Sequence, residues 1–493
     1  MVLSVEPTAP APRRAPTPGR HRAARVRTFR RARTLAGALG ITTLGAVLPG
    51  AGYLWSRRRL GWFVLVPFLL GLAGTAYYFG GDLGHAVDLA FDPARLRVVQ
   101  IAVGVLLAVW VFVVATTYLM VRPIGMAWLE RTLGVVVVVL MCVLGGIPAV
   151  QAMRIADSQH DLVATVFDNE QTATAPKNVT KADPWAGKER VNVLLLGGDG
   201  GVGRTGIRTD SVILLSIDTR TGRSVTFSLP RNMMKAQFPD DSPLHQVFPE
   251  GFGTSDPNAD AGSWMLNAVY SQVPALYPGI LGKSENEGAD AVKQAVAGSL
   301  GTHVDYYVLI NLLGFQQLVD AIGGVTVNIN EPIAINGDTD AGIPPTGYLQ
   351  PGPDQHLDGF HALWYSRGRW GSDDYERMLR QRCMVSAIVD AADPLNVLRR
   401  YQALAAAGKE ILRTDVPRDL MPAFVELALK VKERKMRSIA FVSSAKFYSG
   451  DPDYDWMRSV VAKAMGPRQR DGAKDDPGKA VKTEDVCGYH PEG

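Results

Sequence analysis

The 493-residue chain is poor in cysteine, with only Cys142, Cys383 and Cys487, which is too few for a disulfide framework and lacks any zinc-binding spacing. Outside the cytoplasm Cys383 can pair with Cys487, but two unpaired thiols are the simpler expectation. Strong net charge is also missing. A formal charge of +4 over the whole chain carries no polyanion signal and speaks against nucleic acid as a partner. Charge itself is absent from four long stretches, 34–56, 60–81, 98–121 and 132–153. Each is near the ~20 residues that cross a bilayer as a helix, and a soluble core has no need of four such runs. The first differs from the rest in carrying Pro49 and five glycines (GALGITTLGAVLPGAG), which weakens it as an independent span.

Basic residues near the segment ends set the expected orientation. Residues 1–33 hold nine arginines against one acid, Glu6, and so form a basic cytoplasmic tail. Arg57, Arg58 and Arg59 follow the first apolar segment and also mark the inside, as do Arg122 and Arg131. The tail and the Arg57–Arg59 cluster share one side only if the first segment is re-entrant or interfacial. Three crossings then remain, and everything from residue 154 lies outside; four crossings would put the C-terminal domain inside. The resulting organisation is a tail at 1–33, a membrane region at 34–153, a polar linker at 154–190, an α/β domain at 191–465, and a Gly-, Pro-, Lys- and Asp-rich disordered tail at 466–493.

Within the α/β domain the stretch LLLGGDGGVGRT (194–205) matches the spacing G-x-G-x-x-G at Gly198, Gly200 and Gly203. A dinucleotide fingerprint requires the loop to open a helix, whose N-terminus then holds the pyrophosphate. Here IRTDSVILLSID follows instead, apolar and β-branched, and then SVTFSLPRN after a turn, so the unit reads strand, glycine loop, strand, turn, strand. No G-K-[ST] follows, which excludes a P-loop. Further on, SWMLNAVYSQV and NEGADAVKQAVAGSLG read as helices. HVDYYVLIN reads as a buried strand, LLGFQQLVDAIGG as a helix and VTVNIN as a strand, together a β-α-β unit.

Charge chemistry concentrates in short stretches. Arg204 and Arg208 flank the glycine loop, Arg231 follows the third strand, and Arg367, Arg369, Arg377 and Arg380 crowd one region. Guanidinium groups suit phosphate oxygens bidentately and stay charged at any working pH, so a pyrophosphate is the ligand such a set would take; a solvated basic face is the plainer alternative. Asp374, Arg377 and Gln381 share one helical face. Asp199 and Asp210 stand at the two ends of the glycine loop, where two hard oxygen ligands plus phosphate oxygens could hold magnesium, or Asp199 could simply shape the turn.

LLLGGDGG, RTDSVILLSIDTRTGRSVTFSLPRN, LNAVY, VDYYVLINLLGFQQLVDAIGGV and YSRGRWGSDDYERMLRQR resemble, in that order, the successive motifs of the LytR-CpsA-Psr family, over about residues 190–460. The resemblance implies a membrane-anchored, extracytoplasmic phosphotransferase domain with a central mixed sheet flanked by helices. Its implied substrates are a polyprenyl-pyrophosphate-linked glycan and peptidoglycan. It implies Asp199 and Asp210 as ligands of Mg2+ (or Mn2+), and Arg208, Arg231, Arg367, Arg369 and Arg377 as the pyrophosphate-binding arginines with Gln381 as a polar partner. Asp210 and Asp374 are the candidates for a general base. Arg204, Arg380 and Asn267 are further substrate contacts, and Tyr306, with Leu312 and Phe315, lines a pocket for the lipid tail or else is plain core. The family's P-R-D is here Pro230-Arg231-Asn232, and its K-I-N is Met265-Leu266-Asn267. The rival reading is a non-catalytic protein that holds the lipid-linked glycan or scaffolds wall assembly.

Overall fold

The computed structural model describes residues 30–80, 89, 92–166, 172–198, 208–337, 342–392, 412–466 and 481–490. The chain divides into two units, Met1–Gly74 with Leu106–Gly146, and Thr75–Val105 with Ile147–Gly493. The N-terminal helices are α1 (Leu35–Val47), α2 (Ala51–Trp55), α3 (Leu60–Gly80), α4 (Pro93–Val121) and α5 (Trp128–Val166). Among the described residues three stretches are long and apolar enough to cross a membrane, Leu60–Gly80, Ala94–Val121 and Trp128–Asp157. The first apolar segment is not one of them. It breaks after α1, where Gly50 takes φ 98° and leads into α2. A Cβ on Gly50 would stand 2.4 Å from the Gly61 carbonyl, so this close crossing admits only glycine. Trp110 Nε1 donates to the Ala46 carbonyl at 2.8 Å, satisfying one of the acceptors left open at the end of α1.

The second unit carries the α/β domain. Its remaining elements are β1 (Arg190–Gly198), β2 (Thr209–Asp218), β3 (Ser224–Leu229), α6 (Pro243–Val247), α7 (Val269–Leu276), α8 (Glu287–Leu300), β4 (Tyr306–Asn311), α9 (Leu312–Ile322), β5 (Val325–Ile329), β6 (Ile333–Ile335), β7 (Gly347–Leu349), β8 (Gly352–Leu357), α10 (Gly359–Arg367), α11 (Asp374–Ala391), β9 (Leu412–Thr414), α12 (Met421–Lys432), β10 (Arg437–Ala440), α13 (Tyr454–Met465), β11 (Val481–Lys482) and α14 (Thr483–Val486). Seven strands form one mixed sheet in the order β11-β10-β3-β2-β1-β4-β9. β1 runs antiparallel to β2 and parallel to β4, and β3 runs parallel to β10. The glycine loop joins two antiparallel strands, with Gly198 opposite Thr209, and the ladder shifts register at Gly197. The next described element after the glycines is the strand β2 rather than a helix, which removes the dinucleotide reading.

Alternation along the strands divides the core. Leu194 and Leu196 of β1, Val212 and Leu214 of β2 and Phe227 of β3 join the larger core with α7, α8 and α13. Helix α8 is set against this face by an Asn286 N-cap, whose side chain accepts from the Ala289 N–H, and by Gly301 at φ 64° at its C-terminus. On the opposite face Val191, Val193, Ile217 and Tyr306 pack beneath α12.

The expected β-α-β unit does not close. β4 lies in the main sheet, whereas β5 pairs antiparallel with β8 in a separate two-stranded sheet. Gly323 and Gly324, at φ 99° and 88°, turn the chain out of the main sheet between α9 and β5. β5 then builds a second core with Val319, Leu357, Tyr365 and Met384.

Two connecting segments are better ordered than their composition indicates. The region expected as a polar linker begins as the continuation of α5 and ends as a strap held by buried carboxylates. Asp290 accepts from the N–H groups of Ala173 and Thr174 at 3.0 and 3.1 Å. Asp415 accepts from Thr172 Oγ1 at 2.8 Å, the Tyr307 N–H at 2.7 Å and Lys293 Nζ at 2.6 Å. Lys293 is fully buried and its ammonium donates also to the Asp305 carbonyl at 2.9 Å, so the ion pair is enclosed with its polar atoms engaged.

At the other end, part of the tail expected to be disordered folds back. β11 pairs with β10, and Cys487 is joined by a disulfide to Cys383 on α11, which corrects the expectation of two free thiols. Asn328 Nδ2 donates to the Cys487 carbonyl at 2.9 Å, and Asn330 Oδ1 accepts from the His490 N–H at 2.8 Å. Residues 467–480 of the same tail lie outside the described residues. The bridge spans 104 residues of sequence, so its loss should cost about 2–5 kcal/mol of stability. Cys487→Ser is therefore expected to lower the thermal unfolding midpoint of the full chain in detergent, and an unchanged midpoint would show that the tail contributes nothing.

Candidate functional site

The β2–β3 ladder pairs Val212 with Leu229, and the same register carried two residues outward sets Asp210 across from Arg231. Pro230 ends the strand between them and supplies no N–H to the ladder. Arg231 Nη1 meets Asp210 Oδ1 at 2.6 Å, and its Nε lies 3.3 Å from Asp374 Oδ1. Asp374 belongs to the first turn of α11, which starts from an Asp373 N-cap in a reciprocal capping box with Glu376. One turn on, Arg377 Nη2 stands 2.9 Å from Asp374 Oδ1 and donates to the Asp210 carbonyl at 3.2 Å. The result is an alternating chain, Asp210–Arg231–Asp374–Arg377, across two strands and a helix that are distant in sequence.

Arg377 is almost wholly buried. Desolvation lowers its pKa to about 10, with Arg231 and Arg369 pushing in the same direction and Asp374 and Asp210 opposing. It stays cationic at neutral pH. Arg231 moves the other way: desolvation pulls it down, but Asp210 and Asp374 together hold it above the ordinary arginine value. Arg367 ends α10 with its guanidinium 5.6 Å from the Trp364 ring centre, a cation–π distance. Arg369 follows in the α10–α11 connection, close enough for its charge to bear on Arg377. Arg208 is exposed just before β2, and its charge lowers the pKa of Asp260, whose leading influence is the Ser263 hydroxyl. Asp199 and Arg204 lie outside the described residues.

A cavity of about 370 Å³ opens beside this chain of charges. Asp210, Ser211, Arg367, Arg377 and Gln381 line its polar end. Its body is a slot between the sheet and helices α9, α10 and α11, walled by Leu195, Leu215, Val308, Phe315, Leu363 and Met384 among others. β1, β2 and β4 supply one wall because Leu195, Leu215 and Val308 point to the same face of the sheet. Among the described residues α12 packs on that face at one end, and at the other the slot separates it from α9, α10 and α11. The apolar, β-branched character of these strands was readable in the sequence; the gap between them and the facing helices was not.

The structure revises three candidate contacts. Tyr306 is core: it is buried against Phe424 of α12, with ring centres 5.4 Å apart, and does not line the slot, whereas Leu312 and Phe315 do. Arg380 holds protein rather than substrate. Its Nε donates to the Tyr365 carbonyl at 2.8 Å and its Nη2 to the Gly368 carbonyl, which ties the connection bearing Arg367 and Arg369 to α11. Asn267 is buried and acts first through its backbone, whose N–H donates to the Arg231 carbonyl at 3.0 Å. Its Oδ1 is buried without a protein partner. Gln381 lines the slot and its Nε2 donates to the Ser366 carbonyl at 3.3 Å.

No group of three or more His, Cys, Asp or Glu side chains suited to a metal occurs among the described residues. Asp210 meets Arg231 through Oδ1. A divalent ion beside it would rest on few carboxylates and on the oxygens of a bound phosphate, which is how magnesium is usually held.

The domain is an α/β domain that follows apolar helices and sets one buried and several half-buried arginines at the mouth of an apolar slot. The chain belongs to the LytR_cpsA_psr family, whose sequence model matches residues 158–457. It is 29% identical over 273 residues to the polyisoprenyl-teichoic acid–peptidoglycan teichoic acid transferase TagU of Enterococcus faecalis, a match covering 53% of this chain and 74% of that protein. It is 28% identical over 243 residues to biofilm regulatory protein A of Streptococcus mutans, covering 48% of this chain and 52% of that protein. The crystal structure of B. subtilis TagV is similar at 21% identity and a TM-score of 0.39, covering 56% of this chain and 96% of that one.

The Tyr306 correction is directly testable. Its hydroxyl is buried and without a protein partner, and burial raises its pKa, so Tyr306→Phe removes a polar atom that gains nothing from folding. Stability in denaturant should change by less than about 1 kcal/mol or rise, and activity should be retained. A large loss of activity without loss of stability would return Tyr306 to the site.

Proposed function

We propose that the chain is a transferase that moves a phospho-glycopolymer from a polyprenyl-pyrophosphate carrier onto a sugar hydroxyl of peptidoglycan and releases polyprenyl phosphate. The observation that carries the reading is the meeting of a buried Arg377 and the half-buried Arg231 and Arg367 with an apolar slot at one mouth. A pyrophosphate needs the first and a polyprenyl chain the second. Membership of the family, and a relative named as a teichoic acid–peptidoglycan transferase, support the reaction class.

In this reading the polyprenyl chain occupies the slot and the pyrophosphate lies against Arg231, Arg367, Arg369 and Arg377. The acceptor hydroxyl oxygen attacks the phosphorus that carries the glycan. The bond from that phosphorus to the bridging oxygen breaks, polyprenyl phosphate leaves with the electron pair, and the hydroxyl proton passes to a base. Arginines that stay cationic while desolvated stabilise the charge spread over the transferring oxygens, and phosphoryl transfer depends on such positioning more than on a nucleophilic side chain. Magnesium at Asp199 and Asp210 would add further charge neutralisation at the same oxygens. Asp374, gripped by Arg231 and Arg377, serves to hold both guanidinium groups in place rather than to receive the proton. The basic tail and the three apolar helices support an orientation with this domain outside the cell, where peptidoglycan is found.

Purified full-length chain incubated with lipid-linked glycan, magnesium and peptidoglycan should yield a phosphodiester-linked product. Arg231→Ala, Arg367→Ala, Arg369→Ala and Arg377→Ala should each lower the rate by about 10- to 1000-fold, on the scale of about 1.4–4 kcal/mol of transition-state stabilisation, with incomplete rescue by lysine. Arg220→Ala, on the exposed β2–β3 turn, should be nearly neutral. If the lipid binds but no acceptor is ever modified by the wild type, a binding role replaces the catalytic one. Asp199→Ala and Asp210→Ala should abolish transfer in a folded domain, and full transfer by either in the presence of chelator would remove the metal.

A further inference from the structure

Of the eight large apolar side chains exposed among the described residues between 172 and 466, four sit on neighbouring elements: Leu313 on α9, Phe360 on α10, and Ile343 and Tyr348 on the β6–β7 hairpin. α10 packs on α9, and β6 packs on α10. Scattered exposed apolar residues need no explanation, but these adjoin the slot. Leu312, Phe315 and Leu363 line it from the same two helices that carry the exposed Leu313 and Phe360. Exposure is high, at 55% for Leu313 and 41% for Phe360. Residues 312–319 of α9 contain no charged side chain. At the slot's polar end Trp364 is half-buried with the Arg367 guanidinium over its ring, an indole and a long cation of the kind that settle at headgroup level.

We propose that the outer face of α9 and α10, with the adjoining hairpin, seats on the surface of a lipid bilayer and brings the slot's mouth to headgroup level. The inference rests on the reading above, in which the slot takes a polyprenyl chain. Such a chain starts in hydrocarbon. If the mouth faced water, each methylene that crossed the gap would cost about 0.8 kcal/mol in exposure, whereas a mouth sealed on the bilayer removes that barrier. The chain's own apolar helices keep the domain at high effective concentration near a membrane, so a contact of a few side chains suffices.

The test uses full-length protein with Cys142→Ser in nanodiscs of phosphatidylglycerol and phosphatidylethanolamine, the Cys383–Cys487 bridge left intact. Spin labels are placed by Leu313→Cys and Phe360→Cys, and by Leu429→Cys and Tyr448→Cys as exposed controls on other elements. Labels at 313 and 360 should collide readily with oxygen and poorly with a water-soluble nickel chelate, and the controls should show the reverse. Nickel access at 313 and 360 equal to that of the controls overturns the proposal, as does spin–spin broadening at these two sites, which would assign the face to a second copy of the chain. As a second readout, the double variant Leu313→Asp with Phe360→Asp should lose at least about tenfold in transfer from a membrane-embedded carrier while retaining transfer from a short, water-soluble carrier analogue; equal loss on both carriers counts against the surface. Transfer by the wild type with aqueous labels would sink the surface and leave the transferase reading standing. Lipid-exposed labels without any transfer would do the opposite.

Discussion

The site depends on a carboxylate shared by two guanidinium groups. Asp374 stands between Arg231 and Arg377, and Asp210 meets Arg231 from the other side. Two cations near each other and partly out of water repel and are expensive to desolvate, and Arg377 registers both effects. The interposed carboxylates make their proximity tolerable, so the mouth of the slot can hold positive charge without an anionic ligand present. An arriving phosphate then meets donors already in place, which reduces the reorganisation that binding and reaction require.

That arrangement requires three backbones to meet. The β2–β3 ladder sets Asp210 opposite Arg231, the Asn267 N–H fixes the Arg231 carbonyl, and the capping box at Asp373 starts α11 where Asp374 and Arg377 can reach across. Arg380 binds the connection that carries Arg367 and Arg369 back onto α11. α11 is in turn held from its far side by the Cys383–Cys487 bridge and by hydrogen bonds from β5 and the following residue to the folded-back tail. Remote segments thus contribute to the precision of the mouth without touching its ligand.

The slot exists because the sheet is covered unevenly. One face is filled by α7, α8 and α13, and on the other α12 packs around Tyr306 among the described residues. Beyond that point the side chains of β1, β2 and β4 face helices α9 to α11 across a gap instead of interdigitating with them. The turn at Gly323 and Gly324 sends β5 into a separate sheet, and α10 and α11 follow it in the chain.

Much of this was legible in the sequence where the information is local. Uncharged runs mark the long apolar helices, short apolar and β-branched runs mark β1, β2 and β4, and the strand-like run that follows the glycine loop excludes the nucleotide fold. Residue type alone marks Arg231, Arg367 and Arg377 as anion-binding candidates, since guanidinium chemistry does not change with context. Context decided the rest. Tyr306 and Phe315 are both aromatic residues near the same strand, yet one packs under α12 and the other lines the slot, because burial depends on which distant helix covers a position. Arg380 and Arg377 are three residues apart on one helix, and only the partners across from them separate a clasp on backbone carbonyls from a charge at the mouth. Cys383 finds Cys487 across 104 residues, although nothing near either cysteine announces the other. The sequence by itself determined periodicity, charge type and the elements' own conformations, which are set by nearest neighbours along the chain. Which faces meet, and what each side chain finds opposite it, was decided only in the tertiary structure, where long-range packing selects among partners that are equivalent locally.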